Sequence, residues 1–271
     1  MSFRSRSLAA ALALAALIGA CTSGQRIDFT FYLAHRALRK GDAERAAELY
    51  YKAFEMDPEG EMAPEALYEY ARTIDVHQRL PGFAVEVYRR GSRLFPETNY
   101  AVIGLERAAE IEIDHLKHPE RAVLDYTRLL NLYPEHERRY EWMLHQAEGY
   151  ARLGNPQQAE TELRALIEIK ELPDQVRVAA KSLLGEMLLV LERPGEAATV
   201  YESLAAWTKD RPGFRAAWLE ARYDLAQALS ELDETERALE IYRDIEGEFP
   251  RQEVIQEKIN FLTIRLSKRN R

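Results

Sequence analysis

The sequence holds a single cysteine, Cys21, among its 271 residues. One thiol excludes an internal disulfide and any zinc site built from several cysteines. The 13 glycines are scattered, so there is no phosphate-binding glycine loop, and no Gly-x-Ser-x-Gly turn is present to expose a serine nucleophile. These absences argue against an enzyme, and we expect no catalytic residue, no cofactor and no small-molecule substrate.

Positive charge is also in short supply. The chain has 37 Lys and Arg residues against 45 Asp and Glu residues, which gives a formal net charge of -8. Proteins that bind nucleic acid need clustered Lys and Arg to contact the phosphate backbone. The charge balance therefore argues against nucleic acid as a partner.

Candidate metal ligands are few. His115 and His118 form the one close histidine pair, and Glu112 is the nearest carboxylate that could join them. A zinc site takes three or four converging ligands. This pair also stands at a predicted helix end, before Pro119, where a polar cap is expected. The sequence therefore predicts no metal site.

A repeat runs through most of the chain. Small residues form one column, mostly tyrosines form a second column four positions later, and prolines form a third. The alanine column steps by 38, 38, 37, 38 and 41 residues. A period in this range indicates stacked supersecondary units and favours a binding surface over a catalytic pocket. The columns are Ala46, Ala84, Ala122, Ala159, Ala197 and Ala238; Tyr50, Tyr88, Tyr126, Leu163, Tyr201 and Tyr242; and Pro58, Pro96, Pro134, Pro173, Pro212 and Pro250.

Each repeat is predicted to contain two helices. In the first repeat, apolar residues at helical spacing predict helices over 31–40 and 43–56, separated by Gly41 and Asp42. We interpret the alanine and tyrosine columns as helix packing rather than as a ligand site. Further prolines fall three residues before the alanine column, at the predicted start of the second helix, where a missing N–H costs nothing. These are Pro81, Pro119, Pro156 and Pro194.

The N-terminus has the pattern of an export signal. Arg4 and Arg6 precede an apolar run over residues 8–18, and small residues follow. The run is too short to span a bilayer comfortably, because that takes roughly 20 apolar residues. We therefore expect a signal peptide rather than a membrane-spanning helix.

The four residues that end at Cys21 resemble a bacterial lipobox. The resemblance implies that a lipoprotein signal peptide, residues 1–20, is removed and that Cys21 is acylated, for example with palmitate. Residues 21–26 would then form a lipidated tether. Thr22 after the cysteine resembles a signal for export to the outer membrane, which implies an anchored protein at its periplasmic face.

The columns resemble the tetratricopeptide repeat over residues 27–250. Four units depart from the pattern. Thr30, Glu106 and Arg222 stand where an aromatic residue is usual early in the first helix of three units, and Gly91 replaces the second small residue of the second helix in the second unit. The resemblance implies an all-α, right-handed α-solenoid of about six helix-turn-helix repeats. Residues 251–271 would form a C-terminal capping helix with a basic tail.

The family resemblance implies a scaffold for protein–protein interactions. Among such proteins the chain resembles bacterial outer-membrane lipoproteins of the Bam-complex D type or the pilus-assembly type. Its partners would be other envelope proteins or peptide segments, in outer-membrane protein assembly, secretion or pilus biogenesis, with the membrane reached through acylated Cys21. A regulatory subunit of a cell-wall enzyme and a membrane-anchored co-chaperone are alternative functions.

In tetratricopeptide proteins the first helices line a concave groove. Carried onto this sequence, the groove positions mix polar residues with a few apolar ones, which suits an extended or helical protein segment. Ordinary surface residues would give the same mixture, and both interpretations stay open. The positions are Phe31, His35, Glu69, Thr73, Arg107, Ile111, Leu144, Glu148, Ser182, Glu186, Tyr223 and Gln227.

Overall fold

A computed structural model describes residues 23–269 of the chain. The predicted signal peptide, Cys21 and the last two residues lie outside this range. Within it the chain forms thirteen α-helices and no strand, which confirms the all-α class. The helices are α1 (Ser23–Arg39), α2 (Ala43–Met56), α3 (Ala63–Thr73, continued by a π-turn over Ile74–Gln78), α4 (Pro81–Leu94), α5 (Asn99–Asp114), α6 (Pro119–Leu132), α7 (Arg139–Arg152), α8 (Pro156–Ile167), α9 (Asp174–Val190), α10 (Pro194–Thr208), α11 (Arg215–Glu231), α12 (Thr235–Ile245) and α13 (Gln252–Arg269).

Consecutive helices pack as hairpins. Short turns join them, which makes neighbouring helices antiparallel, and α1 packs on α2, α3 on α4, α7 on α8, α9 on α10 and α11 on α12. First helices of successive pairs also touch, α3 with α5, α7 with α9 and α9 with α11. The predicted terminal helix is present as α13 and packs on α12. This is the packing of stacked helical repeats.

The described residues divide into two compact units. The first unit ends at Asp125 and the second begins at Tyr126, within α6. The core of the first unit runs from α1 to α5 and includes Tyr50, Leu67 and Ile111. The core of the second unit runs from α7 to α13 and includes Tyr201 and Ile255.

The alanine and tyrosine columns are buried throughout. The six alanines have no exposed surface, and each residue of the second column is at most 3% exposed. Residues four apart share one helix face, so each alanine lets a neighbouring helix approach while the larger side chain fills the adjoining space. The prediction that these columns are packing positions is confirmed.

The prolines begin second helices as predicted. Pro81, Pro119, Pro156 and Pro194 are the first residues of α4, α6, α8 and α10. Proline lacks an N–H, and the first helical residues have no intrahelical acceptor for theirs, so nothing is lost there. The helix starts are therefore encoded locally.

The turn inside each hairpin contains one residue with a left-handed backbone. Gly41 (φ 79°) and Gly154 (φ 72°) occupy it in the first and fourth pairs. Non-glycine residues occupy it elsewhere, and the six positions step by 38, 38, 37, 38 and 41 residues, like the alanine column. The left-handed turn is thus a further repeat column, concealed by varied residue types. Its non-glycine members are Arg79, Lys117, Glu192 and Asp233, with φ between 56° and 62°.

The first helix begins earlier than the sequence pattern indicated. α1 starts at Ser23, so residues 23–26 of the expected tether are helical, and the predicted start at Phe31 lies in the middle of the helix. Ile27, Phe31 and Ala34 are all buried on one helix face, which extends the apolar stripe toward the N-terminus. None of the helices in residues 23–269 carries an apolar stretch sufficient to cross a bilayer.

Candidate functional site

Several predicted groove residues belong to the core. Phe31 is 5% exposed, Thr73 1%, Ile111 0% and Leu144 7%. The Thr73 hydroxyl donates a hydrogen bond of 2.8 Å to the carbonyl oxygen of Glu69 within its own helix. In this conformation a partner cannot reach these side chains, so they lie behind the candidate surface rather than on it.

Two charged groove residues of the first unit are held by neighbours. Glu69 pairs with Arg72 at 2.7 Å, and Arg107 donates from Nε to the Asp75 carboxylate at 2.8 Å and from Nη1 to Glu110 at 3.0 Å. Burial alone would lower the pKa of Arg107, but its hydrogen bonds to Asp75 and Glu110 outweigh burial and raise it. Asp75 is buried in the π-turn after α3. Arg107 therefore neutralises a buried carboxylate and acts structurally.

His35 remains exposed on α1 and is fixed by a tyrosine of the repeat column. Its Nδ1 lies 2.9 Å from Tyr50 Oη, and the two rings meet edge to face at 5.6 Å. Burial, followed by the nearby Glu69 carboxylate, raises the pKa of Tyr50 to about 12. The phenol stays protonated at neutral pH and can donate to the imidazole, which orients His35 at the surface.

In the second unit, Glu148 and Ser182 are half-buried. Glu148 Oε2 lies 3.0 Å from His145 Nδ1, one turn earlier on α7. The neighbouring Gln146 donates to Thr127 Oγ1 at 2.7 Å. A partly exposed pair of this kind stabilises little, so Glu148 can exchange His145 for a partner at small cost.

Glu186 and Tyr223 belong to a group of acidic and phenolic side chains, which we name the tyrosine–acid cluster. Its other members are Tyr201, Asp224 and Tyr242, so α9, α10, α11 and α12 all contribute. Burial, followed by the Glu220 and Glu186 carboxylates, raises the pKa of Asp224 to about 6. Burial, followed by Asp224 and Glu186, raises the pKa of the Tyr201 phenol.

Aromatic packing holds the cluster rigidly. Tyr223 stacks on Phe249 with ring centroids 5.1 Å apart and meets Tyr242 edge to face at 5.6 Å. Tyr201 lies so close to Gly185 that a Cβ there would approach its Cζ to 2.3 Å. The rings of Tyr201, Tyr223 and Tyr242 are therefore held by packing contacts.

Arg251 stands at the edge of the cluster. Its guanidinium lies over Phe249 at 5.5 Å and Tyr223 at 5.9 Å, and it pairs with Glu220 at 3.6 Å. Gln227, the remaining predicted position, lies one turn after Tyr223 on α11 and is half-buried. Arg251 offsets part of the negative charge and is itself already engaged by Glu220.

The histidine pair does not form a metal site. The buried Glu112 carboxylate contacts His118 Nδ1 at 3.0 Å, Arg89 at 2.9 Å and Arg121 at 3.6 Å, while His115 is exposed. Arginines occupy the space that further metal ligands would need. Across residues 23–269 no group of three or more His, Cys, Asp or Glu side chains is arranged to hold a metal ion.

Sequence reasoning placed only part of the tyrosine–acid cluster. Tyr201 and Tyr242 were assigned to the core column, which is correct for their rings, and Asp224 directly follows a predicted groove position. One signal in the sequence could have indicated the cluster. Asp224 stands next to the groove position Tyr223, and the repeats on either side both carry tyrosine in the second column, as Tyr201 and Tyr242. Burial and the loss of charge pairing become visible only in three dimensions.

Solved structures share this fold. PilW, described as a widely conserved type IV pilus biogenesis factor, is 19% identical with a TM-score of 0.52, covering 86% of this chain and 98% of that chain. A kinesin light chain from Podosopora anserina with nearly identical tetratricopeptide-like repeats is 17% identical with a TM-score of 0.54, covering 77% and 98%. The apo form of RapI is 13% identical with a TM-score of 0.59, covering 95% and 80%. No curated protein sequence matches the chain.

The fold and its packing define an α-helical repeat protein. Residues 220–251, which span most of α11 and all of α12, match the family described as tetratricopeptide repeat. The chain is therefore a protein of tetratricopeptide-repeat fold, as the resemblance implied. This fold is typically non-catalytic, and its members bind other proteins or peptides, so the chain has the architecture of a protein-interaction scaffold.

Proposed function

We propose that this protein is a lipid-anchored scaffold that gathers envelope proteins at the periplasmic face of the outer membrane. The observation that carries the proposal is the stack of helix hairpins, whose first helices present polar side chains such as His35, Glu186 and Gln227 over a fixed core. A surface of this kind suits an extended or helical protein segment. A few well-placed contacts would supply most of the binding energy.

The N-terminal sequence supports the anchor. A charged start, a short apolar run and a lipobox-like ending lead directly to Cys21, the one cysteine of the chain. Each acyl methylene buried in a membrane contributes about 0.8 kcal/mol, so two or more acyl chains hold a protein firmly. Since α1 begins at Ser23, the scaffold would start within a few residues of the lipid.

The assembly it serves is proposed to be an envelope machine for pilus biogenesis, secretion or outer-membrane protein assembly. PilW resembles this chain in fold over almost its whole length and is described as a pilus biogenesis factor. That likeness supports pilus biogenesis as one candidate. The resemblance to lipoproteins of the Bam-complex D type supports outer-membrane protein assembly as another.

The anchor is tested by Cys21→Ser in the full-length protein. We expect loss of labelled palmitate and release from the membrane fraction, because serine offers no thiol for acylation. Thr22→Asp serves as the matched variant, and it should keep the label but move the protein to the inner membrane. Unchanged labelling and fractionation of Cys21→Ser would contradict the lipoprotein assignment.

The scaffold role is tested by photo-crosslinking in cells of the native host. Benzoylphenylalanine is placed at His35 and Gln227 on first helices, and at the exposed Lys52 and Glu202 on second helices as controls. We expect protein adducts from the first-helix positions and few from the controls. Equal or absent adducts at all four positions would count against a first-helix binding surface. A cell-wall hydrolase as the main adduct would favour the regulatory-subunit alternative.

A further inference from the structure

Two aromatic rings are exposed on one face of α1. Phe29 is 60% exposed and Tyr32 is 52% exposed, and their rings stack with centroids 6.3 Å apart. The opposite face of α1 holds the buried Ile27, Phe31 and Ala34, and the helix packs on α2. No helix precedes α1 among the described residues, so the two rings are left uncovered at the end of the helix stack.

Three cations continue this face toward the end of α1. Arg36 lies one helical turn after Tyr32, so the two side chains share a face. Arg39 lies one turn further on, and Lys40 follows it directly. All three are exposed, and none forms an ion pair with another described residue. We name this surface the aromatic–basic face, and it consists of Phe29, Tyr32, Arg36, Arg39 and Lys40.

A groove of about 550 Å³ lies beside the cations, where α1 meets the start of α2. Its single acid, Asp42, already accepts the Arg45 N–H at 3.0 Å as the cap of α2. Arg45 is paired with Glu48, so Arg36 and Lys40 supply the available charge. The groove can therefore take an anionic group that also carries apolar atoms. The basic and apolar lining residues are Arg36, Lys40, Arg45, Leu33, Ala37 and Leu49.

The aromatic–basic face stands next to the proposed site of acylation. α1 begins at Ser23, two residues after Cys21. Two residues of chain span at most about 7 Å, and the six residues from Ser23 to Phe29 add about 9 Å along the helix. Acyl chains on Cys21 would therefore hold both exposed rings within reach of the membrane surface.

We propose that the aromatic–basic face of α1 lies on the membrane and binds anionic phospholipids. The proposal rests on the lipid anchor of the proposed function, and it adds a second contact that fixes how the first unit meets the membrane. Phe29 and Tyr32 enter the headgroup layer. Arg36, Arg39 and Lys40 contact the phosphate groups.

Ring chemistry and charge both favour a membrane as the occupant of this face. Aromatic rings favour the boundary between water and the bilayer, and basic residues are attracted to anionic headgroups. α1 holds three arginines and one acid, Asp28, although the whole chain has a net charge of -8. A basic surface also strengthens anchoring by acyl chains. An acidic protein segment would match the cations as well, but the short distance to Cys21 favours the membrane.

A crosslinking test identifies the occupant of the face in cells of the native host. Benzoylphenylalanine replaces Tyr32 in the full-length protein, and phospholipids are labelled with radioactive phosphate. Phe83 on α4 is the matched control, because its ring is 54% exposed but lies outside the aromatic–basic face. We expect at least about fivefold more labelled phospholipid adduct at Tyr32 than at Phe83.

A vesicle test measures the contribution of the cations. Cys21 is the one cysteine of the chain and is blocked when acylated, so a Tyr32→Cys variant takes a single aromatic fluorophore in place of the phenol. The acylated variant is reconstituted in vesicles of phosphatidylcholine, alone or mixed three to one with phosphatidylglycerol. We expect a lipid with a spin-labelled headgroup to quench the fluorophore at least about twofold more in the anionic vesicles.

Charge variants assign that gain in quenching to the face. Arg36→Gln combined with Arg39→Gln should remove the gain, because two of the three cations are lost. Lys170→Gln combined with Lys209→Gln removes the same charge from exposed positions of the second unit and should leave the gain unchanged. Glutamine is a good helix former, so the α1 variant should stay folded.

Four results would overturn the proposal. They are equal phospholipid adducts at Tyr32 and Phe83, protein adducts alone at Tyr32, equal quenching in neutral and anionic vesicles, and a gain that survives Arg36→Gln with Arg39→Gln. The lipid anchor is judged separately by Cys21→Ser. A wild-type protein that carries palmitate, but whose benzoylphenylalanine at Tyr32 gives no phospholipid adduct, would keep the anchor and reject the membrane-bound face.

Discussion

At the scale of single residues, two helical glycines differ in the space around them. A Cβ on Gly185 would lie 2.3 Å from Cζ of Tyr201, whereas the nearest atom to one on Gly91 is Leu67 Cδ2 at 3.8 Å. The Tyr201 ring is buried, so moving it aside would disturb the packing around it. The Gly91 position, a departure from the family pattern, has room for a methyl group.

Alanine at these two positions should have opposite effects. Gly185→Ala is expected to lower the free energy of unfolding by about 1–3 kcal/mol through overpacking. Gly91→Ala should raise it by about 0.5–1 kcal/mol, because alanine favours the helix. Urea unfolding of both variants checks this. A stabilised Gly185→Ala would show that the tyrosine does not require glycine there.

Asp224 should make stability depend on pH. Its pKa of about 6 in the folded chain lies above the ordinary value of 3.8. The folded state therefore holds the proton more tightly than the unfolded state does. As the pH rises between these two values, the contribution of Asp224 to stability falls. Glu220, Glu186 and Arg251 act electrostatically on Asp224. Asp224 acts in turn on the phenols of Tyr201, Tyr223 and Tyr242.

Removal of the Asp224 charge should stabilise the protein only at pH values at which Asp224 is ionised. Asp224→Asn is expected to raise the melting temperature at about pH 8 and to have little effect at about pH 4. Glu171→Gln is the control for the change in net charge. Melting curves at both pH values check this. A variant that matched the wild type at the higher pH would contradict the raised pKa of Asp224.

At the scale of elements, the hairpin turns repeat a left-handed residue that is glycine in only two pairs. The left-handed backbone conformation costs a non-glycine residue about 1–2 kcal/mol of folding free energy. Glu192→Gly, at φ 56°, should therefore raise the melting temperature, and Gly154→Ala, at φ 72°, should lower it. Calorimetry on the two variants checks the signs, and an unstable Glu192→Gly would contradict the turn assignment.

A buried ion network ties α4, α5 and α6 of the first unit together. Arg89 contacts Glu112 at 2.9 Å and Asp125 at 2.7 Å, and the Glu112 side chain is fully buried. Arg89→Met would leave two buried carboxylates without this cation and should lower the free energy of unfolding by about 3–5 kcal/mol.

An exposed pair provides the control for that network. Arg45 and Glu48 lie 2.7 Å apart with side chains 58% and 59% exposed. Arg45→Met should change stability by less than about 1 kcal/mol, because water screens such pairs. Chemical unfolding measures the free energy of unfolding of both variants. Similar losses for Arg45→Met and Arg89→Met would show that the buried network does not stabilise the fold.

The elements could be predicted from the sequence because their signals are local. A proline such as Pro156 marks a helix start through its own backbone chemistry, and the alanine spacing marks a buried face. The left-handed turns at Lys117 and Glu192 could not be predicted, because those residues favour no such conformation. The contact of Arg89 with Asp125 joins residues far apart in sequence and depends on helix packing.

At the scale of the whole molecule, the candidate surface was only partly predictable. First-helix positions follow from the repeat register, yet Phe31 and Leu144 turned inward while Glu186 stayed exposed. Which side a position faces depends on the rotation of each helix against its neighbours. The acidic charge around Asp224 arises where α9 meets α11, and spacing along the chain does not reveal that contact.

The central claim is that the repeat columns build the fold while the first-helix surface binds protein partners. The most direct test measures two quantities for each variant: its melting temperature and the partners that it captures by crosslinking. The double variant Glu186→Lys and Gln227→Lys should melt no earlier than the wild type and lose its partners. Ala238→Leu, in a fully buried column, should melt earlier. Retention of every partner by a folded Glu186→Lys and Gln227→Lys double variant would contradict the account.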